Sequence, residues 1–313
     1  MKGMELAREF YYHCLPVLMR RVPDLVSQAT FGLAGEGSEC FGCDDDISRD
    51  HDFGAGFCVW LEDEILKNNR ARLEEAISWF PPDFKGYPSR FLAPDRRVGP
   101  MGVTSYYASF TGLDHPPRDW REWLGVPEER LAAAVNGEIF DSGANSFMAR
   151  RKHLLDYYPR DVWLKKLAAA AMNMAQAGQY NLPRQLERCD GAAAFLAAAK
   201  FAEAALSMVY LFNRRYKPFY KHAPRLARNL PILGRDLTEL LDLLASTRLK
   251  DKRDLAVAEE IENFCSACAA HLRAMEVSDD PGSWLWTHGP EIISRVEDPA
   301  IKATNLLEAQ AGA

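Results

Sequence analysis

The alternation of apolar and polar positions over residues 4–21 predicts an amphipathic helix, and FGLAG (31–35) predicts a short buried strand ending in glycines. HDFGAGFCVWL (51–61) is aromatic and β-branched enough to predict a second strand. LEDEILKNNRARLEEAISWF carries charged and apolar residues at helical spacing and is stopped by Pro81 and Pro82. Residues 81–125 are rich in proline, glycine and aromatics, and within them GVTSYYASFTG (102–112) is the best strand candidate. PEERLAAAVNG predicts a short helix with Pro127 near its start and Gly137 just past its end, followed by a short strand at EIFD, 138–141.

From about residue 143 the pattern becomes helical. Helices are predicted near 145–157, 160–177, 184–213, 234–247, 251–275 and 290–308, with Gly178, Pro218, Pro224, Pro231 and the DDPG at 279–282 as breaks. The fold class expected is α+β: a small mixed-sheet domain over residues 1–150, then an all-α helical bundle over 151–313. There is no internal repeat, and alanine enrichment in the second half suits helices.

Composition narrows the function classes. A net charge of -6 argues against a protein that coats nucleic acid, since such binding draws on neutralised phosphates, so no extended nucleic-acid partner is expected. Charges at Glu5, Arg8 and Glu9 occupy the place where a signal peptide needs its apolar stretch. AAAFLAAAKFAEAALSMVYLF is interrupted by Lys200 and Glu203, so it predicts a bundle helix and no membrane partner. With seven cysteines in no regular framework, the expected location is a reducing cytoplasm.

Charge is also unevenly distributed. Glu36, Glu39, Asp44, Asp45, Asp46, Asp50 and Asp52 crowd the stretch GEGSECFGCDDDISRDHDFG, while residues 204–235 contain no acid and carry Arg214, Arg215, Lys217, Lys221, Arg225, Arg228 and Arg235. Asp50 and Asp52 sit two apart on the predicted strand, so both carboxylates leave one face, as a divalent-ion site requires. Gly37 and Ser38 follow a buried strand, where a glycine lets the backbone approach a phosphate and a serine offers a hydroxyl and an amide. Asp44, Asp45 and Asp46 lack that alternation and are expected to form a solvated acidic loop.

An EF-hand loop starting at Asp46 or Asp50 fails, because His51 or Ala55 stands where glycine is needed and Phe57 or Leu61 where the closing glutamate is needed. Cys40-x-x-Cys43, and Cys265-x-x-Cys268 with His271, are incomplete zinc patterns. No histidine pairs in sequence with a serine or cysteine in the manner of a nucleophilic triad.

Strand, Gly-Ser turn, then strand with Asp-x-Asp resembles the nucleotidyltransferase superfamily, of DNA polymerase beta-like fold. The blocks GSECFGCDDDISRDHDFG, WREWLGVPEERLAAAVNGEIFD, GQYNLPRQLERCDG and LFNRRYKPFYKHAPRLARNLP resemble an uncharacterised bacterial family of nucleotidyltransferase-like proteins with a C-terminal helical domain. The resemblance implies that Gly37 and Ser38 hold the triphosphate of ATP or another nucleoside triphosphate, and that Asp50 and Asp52 bind Mg2+ or Mn2+ and are catalytic.

Two-metal transfer usually needs a third carboxylate, for which Asp141 is the first choice and Glu138 the second, provided that EIFD lies beside the Asp-x-Asp strand. Asp141 could equally cap the next helix. Helical second domains of the resembling enzymes supply lysines and tyrosines to the triphosphate across an interdomain cleft, which implies Lys217, Tyr220 and Lys221 here; the alternative is that these side chains face water. Tyr180, Asn181 and Arg184 either line that cleft for substrate or form a helix–helix corner after Gly178. The expected activity is transfer of a nucleotidyl group, most simply AMP, to the hydroxyl of a small-molecule acceptor. The alternatives are nucleotidylation of a protein or RNA partner, and a catalytically degenerate nucleotide-binding regulatory module.

Overall fold

A computed structural model describes residues 1–49, 53–92 and 97–309. The protein is α+β, with a four-stranded mixed sheet and many helices. It forms two compact units, one of Met1–Pro117 with Glu129–Asp156 and one of Arg118–Glu128 with Tyr157–Ala313.

The first unit contains α1 (Gly3–Arg21), β1 (Thr30–Leu33), β2 (Cys58–Leu61), α2 (Asp63–Ile77), β3 (Gly99–Gly102), α3 (Val103–Thr111), most of α4 (Glu128–Val135), β4 (Glu138–Asp141) and α5 (Phe147–Leu155). The sheet order is β3-β2-β1-β4; β1 is antiparallel to β2 and β4, and β2 is parallel to β3. All four residues of β1 and of β2 are buried, which fits strands covered on both faces. On one side α1 turns Leu6, Phe10, Tyr11, Cys14 and Leu18 inward against Phe31, Phe57 and Phe80. Phe10 and Phe57 meet edge to face at 6.0 Å. Gly32 is required by close approach: a Cβ there would lie 2.4 Å from the Glu138 carbonyl oxygen, where the β1–β4 register shifts.

Two strand expectations change. Residues 102–112 are not a strand, because β3 ends at Gly102 and Val103–Thr111 is helical. Val103, Tyr106 and Tyr107 are buried at helical spacing, and Gly112, at φ 73°, ends the helix in the left-handed region. Aromatic and β-branched content suggested a strand, whereas the spacing and the Asp63 carboxylate on the first amides decide for a helix. In the predicted 51–61 strand, His51 and Asp52 lie outside the described residues, and pairing with β1 is confined to Cys58–Trp60.

The second unit holds α6 (Arg160–Met174), a π-helical segment (Ala175–Asn181), α7 (Leu182–Glu187), α8 (Gly191–Phe212), α9 (Gly234–Ser246), α10 (Ala256–Ala274) and α11 (Leu285–Ser294). Gly178 is no break, contrary to the sequence pattern. The chain runs helically through it, and a Cβ there would lie 2.3 Å from the Phe201 ring on α8, so glycine serves interhelical packing. The predicted 184–213 helix is instead split at Cys189, at φ 57°, after which Asp190 caps α8 by accepting from the Ala193 amide. By length and apolarity alone α8 could cross a bilayer; within this unit it packs on α6 and the π segment.

Candidate active site

The end of β1 leads into Ala34-Gly35-Glu36-Gly37, and this loop borders a cleft of about 740 Å³ in the first unit. Gly35 has φ 125°, a conformation that L side chains rarely adopt. Asn136, just after α4, fixes the loop: its Oδ1 accepts from the Gly35 amide at 2.8 Å, and its Nδ2 donates to the Gly35 carbonyl at 2.6 Å. The Asn136 carbonyl accepts in turn from Arg151 Nη1 at 2.9 Å, and the Gly137 amide donates to the Cys40 carbonyl at 2.9 Å. A backbone turn is thus held by the turn after α4, itself anchored by α5.

Gly37 is extended (φ −65°, ψ 143°) and precedes a 3-10 turn, Ser38–Phe41. Gly37 lines the cleft, and Ser38 begins the turn beside it. A Cβ at Gly37 would lie 2.5 Å from the Glu39 carboxylate, so the glycine makes room for Glu39. Glu39 accepts from Arg90 Nη1 at 2.9 Å, with side chains 16% and 9% exposed, and both residues line the cleft. On another wall, Asp63 accepts from the Thr104 amide (2.7 Å), the Ser105 amide (3.1 Å) and the Ser105 hydroxyl. Burial pushes the Asp63 carboxyl up, but the hydrogen bonds from Ser105 and Thr104 outweigh it and hold the group below its ordinary value.

The lining also includes Lys67, Arg70, Arg97 and Arg130. Arg130 pairs with Glu36 at 2.9 Å and Arg70 with Glu74 at 3.3 Å, both at exposed positions where ion pairs contribute little stability and exchange readily for a ligand. The arrangement is therefore a glycine loop facing a set of cations, with three carboxylates that already have partners: Glu36 with Arg130, Glu39 with Arg90, and Asp63 hydrogen-bonded by Thr104 and Ser105. Such a cleft can receive a polyanion.

Asp50 and Asp52 lie outside the described residues. Glu138 and Asp141 are on β4, which pairs with β1, and β1 separates it from β2 (Cys58–Leu61). Arg8 holds Glu138 with two guanidinium nitrogens, and Tyr11 donates to Asp141 Oδ2 at 3.1 Å, with burial first and Asp141 second pushing the Tyr11 hydroxyl up. Asp44 is not solvated but buried, accepting from the Gly3 amide at 2.8 Å. Asp45 accepts from the Ser48 amide at 3.0 Å.

Tyr180, Asn181, Arg184, Lys217, Tyr220 and Lys221 all belong to the second unit. The π segment and α7 carry the first three, and Arg184 lies 4.3 Å over the Tyr180 ring, so no interhelical corner forms there. Lys217 pairs with Glu203 at 3.5 Å, while Tyr220 is exposed and tilted on Phe219 at 4.4 Å. Within GQYN the residue that ties elements together is Gln179, which donates to Glu262 at 2.7 Å and accepts from the Leu285 amide at 3.0 Å. Burial pushes the Cys265 and Cys268 thiols up, opposing the thiolate that zinc needs, and among the described residues no group of three His, Cys, Asp or Glu could hold a metal.

Sequence reasoning missed Asn136, Asp63 and Arg90. Asp63 reads as an ordinary acidic first turn, and its role depends on a helix forty residues later; only the glycine at position 102 hinted at close approach, since a Cβ there would sit 2.4 Å from the Asp63 carboxylate. Residues 123–223 match a family model described as a domain of unknown function (DUF4037). No curated protein and no solved structure matches the chain.

Proposed function

We propose that the protein is a metal-dependent nucleotidyltransferase of the DNA polymerase beta-like superfamily, moving AMP from ATP to a hydroxyl of a small molecule. The observation that carries this reading is the Gly35–Gly37 loop, locked by Asn136, on a cleft of about 740 Å³ that Lys67, Arg70, Arg97 and Arg130 line. That volume suits a nucleotide, and the cations suit its triphosphate.

In the reaction, the acceptor hydroxyl oxygen forms a bond to the α-phosphorus, the bond from that phosphorus to the bridging oxygen breaks, and pyrophosphate leaves. The loop holds phosphate oxygens through its backbone, and the arginines keep the chain extended for in-line attack. Asp50 and Asp52 would hold the metal; carboxylate pairs offer the hard oxygens that Mg2+ or Mn2+ takes. A divalent ion held there would supply positive charge to the triphosphate and leaving group. Glu138 and Asp141 carry Arg8 and Tyr11 as partners, so release from them is a condition for either to serve as the third carboxylate.

Calorimetric titration of MgATP tests the binding half of this reading. Binding that weakens about tenfold in an Arg70→Ala, Arg130→Ala double variant supports it; no binding, or equal binding by both proteins, contradicts it.

A further inference from the structure

The second unit contains a separate cavity of about 350 Å³, between α6 and α8 and beside the first residue of α4. Its polar lining is amphoteric: Glu128, Lys166, Lys200, Asn173, Gln176 and Ser207 face it, with alanines of both helices as the apolar floor. Two of these side chains are deeply buried. Glu128 is 8% exposed and Lys166 2%.

Glu128 Oε1 is buried with no hydrogen-bond partner among the described residues. A carboxylate oxygen left in that state is costly, and a donor brought by a ligand would relieve it. Lys166 Nζ donates to the Ala309 carbonyl at 3.0 Å. The neighbouring segment is held the same way, with Asn173 donating to the Leu307 carbonyl at 2.9 Å and Lys165 to the Asn305 carbonyl. Glu203, at the cavity rim, is paired with Lys217.

We infer that this cavity binds a small zwitterion of amino-acid size, its ammonium taken by Glu128 and its carboxylate by Lys166. One carboxylate and one ammonium at nine-tenths burial, with a second of each sign nearer solvent, complement a ligand that carries both charges and no net charge. The two carboxylates of the lining, Glu128 and Glu203, disfavour a polyanion such as a nucleotide. Glu128, Lys166, Asn173, Gln176, Lys200 and Ser207 all fall within the stretch matched by the family model. The inference is independent of the nucleotidyl-transfer reading, because no residue of the first-unit cleft enters it.

The test is thermal shift, then calorimetry, of the full chain against the common amino acids at up to about 10 mM, with the amine and the carboxylic acid that each becomes on losing one charged group. At least one amino acid is expected to raise the melting temperature with concentration, and both singly charged counterparts to bind about tenfold more weakly or worse. Glu128→Gln is expected to weaken the zwitterion and not the carboxylic acid, and Ser207→Trp, which fills the cavity from α8, to abolish both. Absence of any shift across the panel would overturn the site, as would binding that survives Ser207→Trp or counterparts that bind as well as the zwitterion.

Discussion

Asn136 grips Gly35 from both sides, accepting from its amide and donating to its carbonyl. Gly35 is buried beyond the end of β1, so among the described residues no strand pairs with these groups. Asn136→Ala is expected to cost ~2 kcal/mol, from two lost hydrogen bonds and an orphaned amide, and to weaken MgATP binding more than that loss of stability explains. Denaturant melts and calorimetry on the same variant check it; unchanged binding would mean that the loop does not meet the ligand.

Asp63 and Gly102 form a second tight contact. Gly102→Ala puts a methyl group against the Asp63 carboxylate and is expected to destabilise the first unit by ~1–3 kcal/mol. Asp63 also gives a pH signature. Its carboxyl lies below its ordinary value in the folded protein, so the unfolded chain binds the proton first. The stabilisation is present above the unfolded value of about 4 and is lost as pH falls through the folded one. The stability gap between wild type and Asp63→Asn is expected to be wide at neutral pH and to close in acid; a gap constant with pH would remove the carboxylate from the account.

Lys165 works in the opposite pH range. Burial, set against a smaller opposing pull from Glu308, depresses its ammonium from 10.5 to about 8. Between those values the unfolded chain holds the proton and the folded chain does not, so stability should rise with pH there and level off above the upper one. Lys165→Met should remove that rise, measured as the difference between the two proteins' melting temperatures across the range. Parallel curves would contradict it.

Gly178 lies where the Phe201 ring packs on the π segment. Gly178→Ala is expected to cost ~1–3 kcal/mol by overpacking, despite alanine's better helix propensity. A gain in stability would show that Phe201 has room to move.

These contacts mark what the sequence made legible. Periodicity located α1, and the apolar run located β1, because burial on a sheet leaves a pattern within one element. Residues 103–111 misled because tyrosines and a phenylalanine serve a helix as well as a strand, and the deciding group, Asp63, lies far away in the chain. Asn136 carries no local signal: its partner is a hundred residues earlier. Gly178 looked like a terminator because glycine usually is one, and only the neighbouring helix explains it. The glycine turn at Gly37 was legible as a motif, whereas the cations of its cleft, on α2 and α4 and at Arg97, were not, since folding alone gathers them.

Pyrophosphate release reads out the proposed transfer of a nucleotidyl group and its dependence on Asp50 and Asp52. Full-length protein with Mg2+ or Mn2+, each labelled nucleoside triphosphate and hydroxyl-bearing acceptors is compared with an Asp50→Ala, Asp52→Ala double variant. Release with ATP, label on the acceptor and a loss of at least about a hundredfold in the variant are expected. Equal release by both proteins, or none by the wild type with any nucleotide and acceptor, would contradict the proposal.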